Sequence, residues 1–391
     1  MVGVRVAMNL EQLLQPSPGG IGRYTARLAA HLPDAGWDVL GFCALHRRRD
    51  VAAALAAEGL GGPTPTILAL PRPVLYDAWA RLGHPDVASI GRLRAADVVF
   101  APSVAVPPRH RRPLVVTVHD AAPFLFPEAF PARGLRFHRA GIETAARSAD
   151  LVLTVSESSR AELVEHTAIA EERIRVVPNG VDLDVATDEQ VLELTRRLGL
   201  VDRPYVLWVG SLEPRKNVEA LLGLPAALAA AGLPHRLALV GPSGWGPTAA
   251  RVREATSAAA PGSLVLVGPV GAADLAPLYR GAALFCFPSV HEGFGLPVLE
   301  AMAQGTPVMC STASSLPEVA GSAARFVEDP GVAGPGPKGS TERETWDAAV
   351  VDLLGDAGSL ADLAAAGPAR AAAFPWSACA QATAAALREV S

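Results

Sequence analysis

The stretch from Phe287 to Val308, F-P-S-V-H-E-G-F-G-L-P-V-L-E-A-M-A-Q-G-T-P-V, constrains this chain more than any other. The apolar run Ala282 to Phe287 leading into it reads as a buried strand, the glycine-bearing segment as a loop, and Pro297 as the first residue of a helix, where its missing N–H costs nothing. A strand that passes through a bare loop into a helix leaves the amides of Phe294, Gly295 and Leu296 at the helix N-terminus. The positive end of the helix dipole there favours an anion, and phosphate is the natural guest.

Glu292 and Glu300 are eight residues apart, which predicts one carboxylate in the loop and the other in the first helical turn, both facing one cleft. Each has a plain reading: a first-turn Glu compensates the helix dipole, and Gly-Phe-Gly before Pro makes a tight turn. Ionised carboxylates only accept hydrogen bonds, so the pair beside an anion site suits a ligand with a phosphate centre and hydroxyls on both sides, as in a nucleotide sugar.

The pattern of strand, glycine loop and helix recurs. The N-terminal V-G-V-R-V-A-M-N alternates like a first strand and is followed by S-P-G-G-I-G-R-Y-T-A-R-L, where Gly19, Gly20 and Gly22 introduce Tyr24, Leu28 and Leu32 at helical spacing. That loop either brings amides to a phosphate or an acceptor or is a plain turn. The strand Leu114 to Val118 runs into His119-Asp120, which predicts an imidazole and a carboxylate at the carboxyl end of a strand, where open α/β sheets bind ligands; the alternative is a satisfied edge histidine. Tyr205 to Val209 precedes G-S-L-E-P-R-K-N-V, with Gly210 and Ser211 in the loop and Arg215-Lys216 just before a helix. A guanidinium and an ammonium there neutralise a diphosphate without a metal. As a merely solvated pair they would oppose the preference for acids in a first turn. The strands Leu237 to Val240 and Leu264 to Val267 end on Gly241 to Gly246 and on Gly268-Pro269, loops expected to wall a base pocket with backbone groups.

At 391 residues, 50% of them hydrophobic, the chain has material for two or three domains. No apolar run approaches the ~20 residues that span a bilayer, and the N-terminus lacks a signal pattern, so a cytoplasmic protein is expected. The four cysteines are far apart without metal or redox spacing and read as buried thiols. A net charge of −5 gives no reason to expect nucleic acid. The charge is uneven: residues 1–183 hold 20 Arg against 18 acidic residues, so the excess of acid lies in the remainder. Arg47-Arg48-Arg49 and Arg109-His110-Arg111-Arg112 face either solvent or an anionic lipid or acceptor, which leaves open a peripheral contact of the N-terminal half with the inner face of the membrane. Trp37, Tyr76 and Trp79 line an acceptor pocket or belong to the core.

Taken together these segments resemble the retaining glycosyltransferases of family 4, in their mannosyltransferase-like branch. The resemblance rests on Glu292-x7-Glu300, on H-D-x-x-P-x-x-F-P-E from His119, on G-G-I-G-R-Y-T from Gly19, on Arg215-Lys216 and on S-S-L-P-E-V-A-G from Ser314. It implies an α/β protein of the GT-B fold, with two Rossmann-like domains facing a central cleft. The expected domains are an acceptor-side domain over 1–184, a nucleotide-sugar-binding domain over 185–375, and a terminal helix over 376–391 packing back on the first. It further implies that Glu292 binds the donor sugar's hydroxyls, that Glu300 binds the ribose, and that His119 borders the anomeric carbon, with Asp120 a second candidate. Gly19, Gly20, Gly210, Ser211, Phe294, Gly295 and Leu296 would contact the donor, while Arg215 and Lys216 hold the leaving diphosphate. No metal or cofactor is implied; the donor would be GDP-mannose and the acceptor a saccharide, a lipid-linked or a small molecule. The alternatives are a UDP-sugar donor, a non-transferring nucleotide-sugar enzyme such as an epimerase or phosphorylase, or a binding protein on the same fold. The complete motif set argues against the last two. Gly331 to Thr341 departs from the family pattern and reads as a mobile surface insertion.

Overall fold

Two wholly parallel sheets carry the chain's architecture. The structure, a computed structural model, describes residues 4–61, 64–328 and 340–391. The first sheet contains β1 (Val4–Asn9), β2 (Trp37–Cys43), β3 (Thr66–Ile67), β4 (Val98–Ala101), β5 (Leu114–Thr117), β6 (Leu151–Thr154) and β7 (Ile174–Val176), in the order β3-β2-β1-β4-β5-β6-β7. The second contains β8 (Tyr205–Val209), β9 (Arg236–Val240), β10 (Leu264–Gly268), β11 (Leu284–Phe287), β12 (Val308–Ser311) and β13 (Arg325–Val327), in the order β10-β9-β8-β11-β12-β13. Each sheet thus grows outward in one direction, returns, and grows in the other, which is the doubly wound Rossmann order. The reversal lies between β1 and β4 in the first sheet and between β8 and β11 in the second. Central strands such as β5 (LVVT) and β11 (LFCF) are buried along their whole length, as strands covered by helices on both faces must be.

Strands β5, β8, β9, β10 and β11 follow the apolar runs to within a residue or two, and some of the helices begin where a side chain supplies a cap. Ser156 accepts the Ser159 amide at 3.0 Å and opens the helix Glu157–His166. Thr187 and Gln190 form a reciprocal capping box at the start of Asp188–Arg197. Gly19 and Gly20, expected in a loop, are the first residues of the helix Gly19–His31. β2 went unread because Asp38 and Gly41 interrupt its apolar pattern.

The chain divides into two compact units, the first made of Met1–Phe124, Arg133–Gly180 and Pro375–Ser391, the second of Leu125–Ala132 and Val181–Phe374. In the first unit the last helix, Trp376–Val390, accepts the Trp37 indole N–H on the Ala384 carbonyl at 3.3 Å, and Arg388 donates to the Ala35 carbonyl at 2.7 Å. Trp37 is therefore a fully buried core residue and lines no pocket for an acceptor. Tyr76 stacks between Trp79 and Phe137. In the second unit the short segment Leu125–Ala132 is held where Trp245 donates its indole N–H to the Ala129 carbonyl at 2.6 Å and Phe126 meets the His291 ring at 5.2 Å. All four cysteines are buried and free. Among the described residues no helix is long and apolar enough to cross a membrane. Of the Gly331–Thr341 segment, residues 331–339 lie outside the described residues.

Candidate active site

In the second unit β8 and β11 are neighbours at the point where strand order reverses, and the segments leaving their carboxyl ends carry most of the predicted site. After β8 the Gly210 amide donates to the Val240 carbonyl at 2.9 Å and Leu212 to the Pro242 carbonyl at 3.0 Å, which stitches this loop, Ser211 included, to the one after β9. At Gly241 (φ +137°) a Cβ would stand 1.9 Å from the Gly210 carbonyl oxygen, so only glycine fits where the two loops meet. The Gly241 amide in turn donates to the Gly268 carbonyl at 2.9 Å, joining the third glycine loop to the same edge.

Arg215 and Lys216 do not open an α-helix. Pro214 starts a 3-10 turn, Pro214–Lys216, and the buried Asn217 in the left-handed region (φ +49°) ends it. Nor are the two side chains solvated. Lys216 Nζ lies 2.6 Å from Glu292 Oε1, and Arg215 Nη1 lies 3.5 Å from Glu292 Oε2 and donates to the His291 carbonyl at 2.7 Å. Arg215 Nη2 also bonds Glu213 Oε1 at 3.1 Å. The result is a largely buried cluster of two cations and two carboxylates. Burial alone would raise the Glu292 pKa, but the charges of Lys216 and Arg215 outweigh it and hold the carboxyl below its ordinary value. Glu213, two residues ahead of Arg215, was missed; its place within G-S-L-E-P-R-K was the available signal.

The loop after β11 is braced from β12's far end. The Glu292 amide donates to Ser314 Oγ at 2.8 Å, and Ser314 and Ser315 donate back to the Glu292 carbonyl at 2.9 and 2.8 Å. Ser314 adopts φ +45°, a conformation L residues rarely take, so the contact fixes both loops together. Gly295 (φ +100°) caps the helix Leu296–Ala303, and a Cβ on it would stand 2.6 Å from Leu316 Cδ2. Pro297 is the second helical residue, not the first. The Phe294 and Leu296 side chains are buried, Phe294 edge-on to Phe374 at 5.8 Å, so their amides alone are suited to a ligand. Glu300 sits in the middle of the helix, beyond its first turn, and accepts the Tyr279 hydroxyl at 2.9 Å. First-turn dipole compensation therefore does not explain Glu300.

In the first unit the segment after β5 carries His119, whose Nε2 donates to the Pro102 carbonyl at 2.9 Å while the ring meets Tyr24 edge-on at 4.9 Å. Tyr24 belongs to the helix that Gly19 opens, and its hydroxyl lies 3.0 Å from Thr117 Oγ1, so the structure brings the glycine segment and the His-Asp segment together. Burial lowers the His119 pKa despite the Pro102 carbonyl and Asp120, which favours the neutral ring with its proton on Nε2. Asp120 Oδ1 accepts the Ala122 amide at 3.0 Å, a local turn that sets the direction of the next helix. The buried Glu11, bonded to the Ala44 amide at 2.8 Å and to His46 Nε2 at 2.9 Å, also lies at the carboxyl edge of this sheet and carried no sequence signal. Among the described residues no group of three or more His, Cys, Asp or Glu side chains is placed to hold a metal ion.

Two sheets in Rossmann order, the second with cations, carboxylates and a helix N-terminus gathered at its reversal point, define an α/β protein of the GT-B class. The family model for Glycosyltransferase Family 4 matches residues 18–185, and that for Glycosyl transferases group 1 matches residues 203–335. The chain is 34% identical over 265 residues to O-antigen chain mannosyltransferase B of Escherichia coli, across 66% of this chain and 68% of the relative. It is also 34% identical over 260 residues to D-inositol 3-phosphate glycosyltransferase of Thermobispora bispora, across 64% of this chain and 57% of the relative. Among solved structures it is similar to Anabaena HepE in complex with UDP and glucose, with a TM-score of 0.74, 21% identity, and coverage of 99% of this chain and 100% of the other. The chain belongs to glycosyltransferase family 4.

Proposed function

We propose that this protein is a retaining hexosyltransferase that works without a metal ion and moves mannose from GDP-mannose to a saccharide, lipid-linked or small-molecule acceptor. The observation that carries the reading is the Arg215, Lys216 and Glu292 cluster at the reversal point of the second sheet. Preorganised cations in a water-poor site stabilise the charge that grows on a departing diphosphate, which is the largest contribution such a site can make. Arg215 and Lys216 take the diphosphate, the amides at Gly295 add donors, and Glu300 accepts from the ribose. Glu292 shares the two cations with the diphosphate and accepts from the sugar hydroxyls. His119 contributes a neutral imidazole toward the donor sugar.

In this reaction the bond between the anomeric carbon and the phosphate oxygen breaks, and a bond from the acceptor oxygen to that carbon forms on the same face. The acceptor's proton passes to the departing phosphate. Inversion would instead need a base that activates the acceptor on the opposite face. Mannose is supported by the similarity to a mannosyltransferase at 34% identity. A second reading, a UDP-sugar donor, is favoured by the structural likeness to a protein that binds UDP and glucose. A panel of GDP-, UDP- and ADP-sugars, with NMR of the product's anomeric centre, separates the two. Preference for GDP-mannose and an α-linked product is expected; turnover of a UDP-sugar alone overturns the donor, and a β-linked product from an α-linked donor overturns the mechanism.

A further inference from the structure

The first unit carries a cavity of about 1080 Å³ whose lining includes Arg94, Arg111, Arg112, His84, His110 and Leu82. Arg94 belongs to the 3-10 turn Gly91–Ala95 ahead of β4, and Arg111 and Arg112 lead into β5. In a parallel sheet these positions lie at the amino-terminal edge, away from the edge that holds His119. Three arginines from two separate segments, the exposed Arg94 and Arg111 and the half-buried Arg112, line one concavity. Two of the lining side chains are also tied in place by backbone carbonyls: Arg94 Nε donates to Ser89 at 2.6 Å, and His110 Nε2 to Gly83 at 2.7 Å. The His84 ring stacks on His110 at 5.3 Å. Asp86 is the sole carboxylate among the described lining residues, and its Oδ1 accepts the Ala88 amide at 3.0 Å.

We propose that this cavity binds a phosphate group, carried either by a soluble molecule or by a lipid headgroup. Guanidinium forks match phosphate oxygens in geometry and charge, and three of them leave the lining net positive. The volume exceeds that of a bare phosphate and admits what the phosphate is esterified to. Leu82, 71% exposed on the rim, offers an apolar contact suited to the lipid form. The site does not draw on Arg215, Lys216 or Glu292 and stands or falls apart from the transfer reaction.

The test follows the histidine ring signals of the full chain by NMR at low ionic strength, assigned with His84→Gln and His110→Gln. Titration with inorganic pyrophosphate should shift both rings saturably, and R111Q/R112Q should weaken that response about tenfold or more, since each charge-assisted bond is worth roughly a factor of ten. R47Q/R48Q removes the same charge elsewhere and should leave the response intact. Cosedimentation with phosphatidylcholine vesicles, with and without phosphatidylglycerol, identifies the source of the phosphate. Binding only to the anionic vesicles, lost in R111Q/R112Q, supports the lipid form; a pyrophosphate response without vesicle binding supports the soluble form. No response to either probe, or equal loss in both double variants, overturns the proposal.

Discussion

Lys216 Nζ and Glu292 Oε1 stand 2.6 Å apart with their side chains 14% and 8% exposed, a contact made across 76 residues of sequence. Removing one partner of a buried ion pair typically costs about 3–5 kcal/mol because the other is left uncompensated, but here Arg215 remains 3.5 Å from Glu292 and offsets part of that loss. Lys216→Met should lower the stability of the second unit by less than that figure, read by urea unfolding at neutral pH.

The same pair sets an acid dependence. The Glu292 pKa is held below its ordinary 4.5 in the fold, so the unfolded chain takes up this proton first. Its contribution to stability is complete above pH 4.5 and is lost as pH falls through the lower folded value. In Lys216→Met the folded pKa moves back toward 4.5, and the slope of stability against pH below 4.5 should flatten. A steeper slope in the variant would contradict the assignment.

Glu292 and Glu300 should separate in calorimetry. Glu300→Gln is expected to weaken binding of the nucleoside diphosphate by about 1.5–3 kcal/mol, the worth of a hydrogen bond to a charged group. Glu292→Gln releases Arg215 and Lys216 from a competing carboxylate, so it should leave diphosphate binding equal or tighter while lowering turnover. Weaker diphosphate binding in Glu292→Gln alone would exchange the two roles.

Turnover should persist in excess EDTA, because Arg215 and Lys216 supply the positive charge that a divalent ion would otherwise bring. Loss of activity on chelation, restored by a divalent cation, would show that the two side chains are insufficient.

His119 is expected to titrate below the usual 6.5, since burial disfavours its charged form. Its folded pKa is depressed, so its neutral ring contributes stability above 6.5 that is lost as pH falls through the folded value. Tyr24→Ala removes the ring packed at 4.9 Å and admits water, and the NMR midpoint of His119 should then rise toward 6.5.

Gly295→Ala should cost about 1–3 kcal/mol from the left-handed backbone alone, measured by thermal unfolding. Leu316→Val in the same background relieves only the contact at 2.6 Å and should recover part of the loss.

Much of this was legible in the residues themselves, for reasons that are local. β8 was read to its ends because Pro204 and Gly210 bracket an unbroken apolar run. The helix after Gly295 was read because Pro297 and the glycine mark its start. What sequence could not carry depends on contacts far apart along the chain. The bond from Ser314 to Glu292 spans 22 residues and no spacing rule foretells it. Arg215 and Lys216 looked like a helical first turn, and only the sharp reversal at Asn217 makes them a 3-10 turn that meets β11's loop. Leu125–Ala132 reads as part of the first half, yet it packs in the second unit through the Ala129 carbonyl and Phe126.

The helix Trp376–Val390 closes the first unit from the far end of the chain. On a ribosome, β1 to β7 emerge long before it, and Trp37 must wait for the Ala384 carbonyl, 347 positions later in the chain. Domains commonly fold as they are synthesised, the earlier one first. Here the order of completion is reversed: the second unit has all of its residues before the first has its last helix, and the face that receives that helix stays uncovered throughout elongation. The nascent first sheet therefore keeps a helix-binding face open until the last stretch of the chain is made.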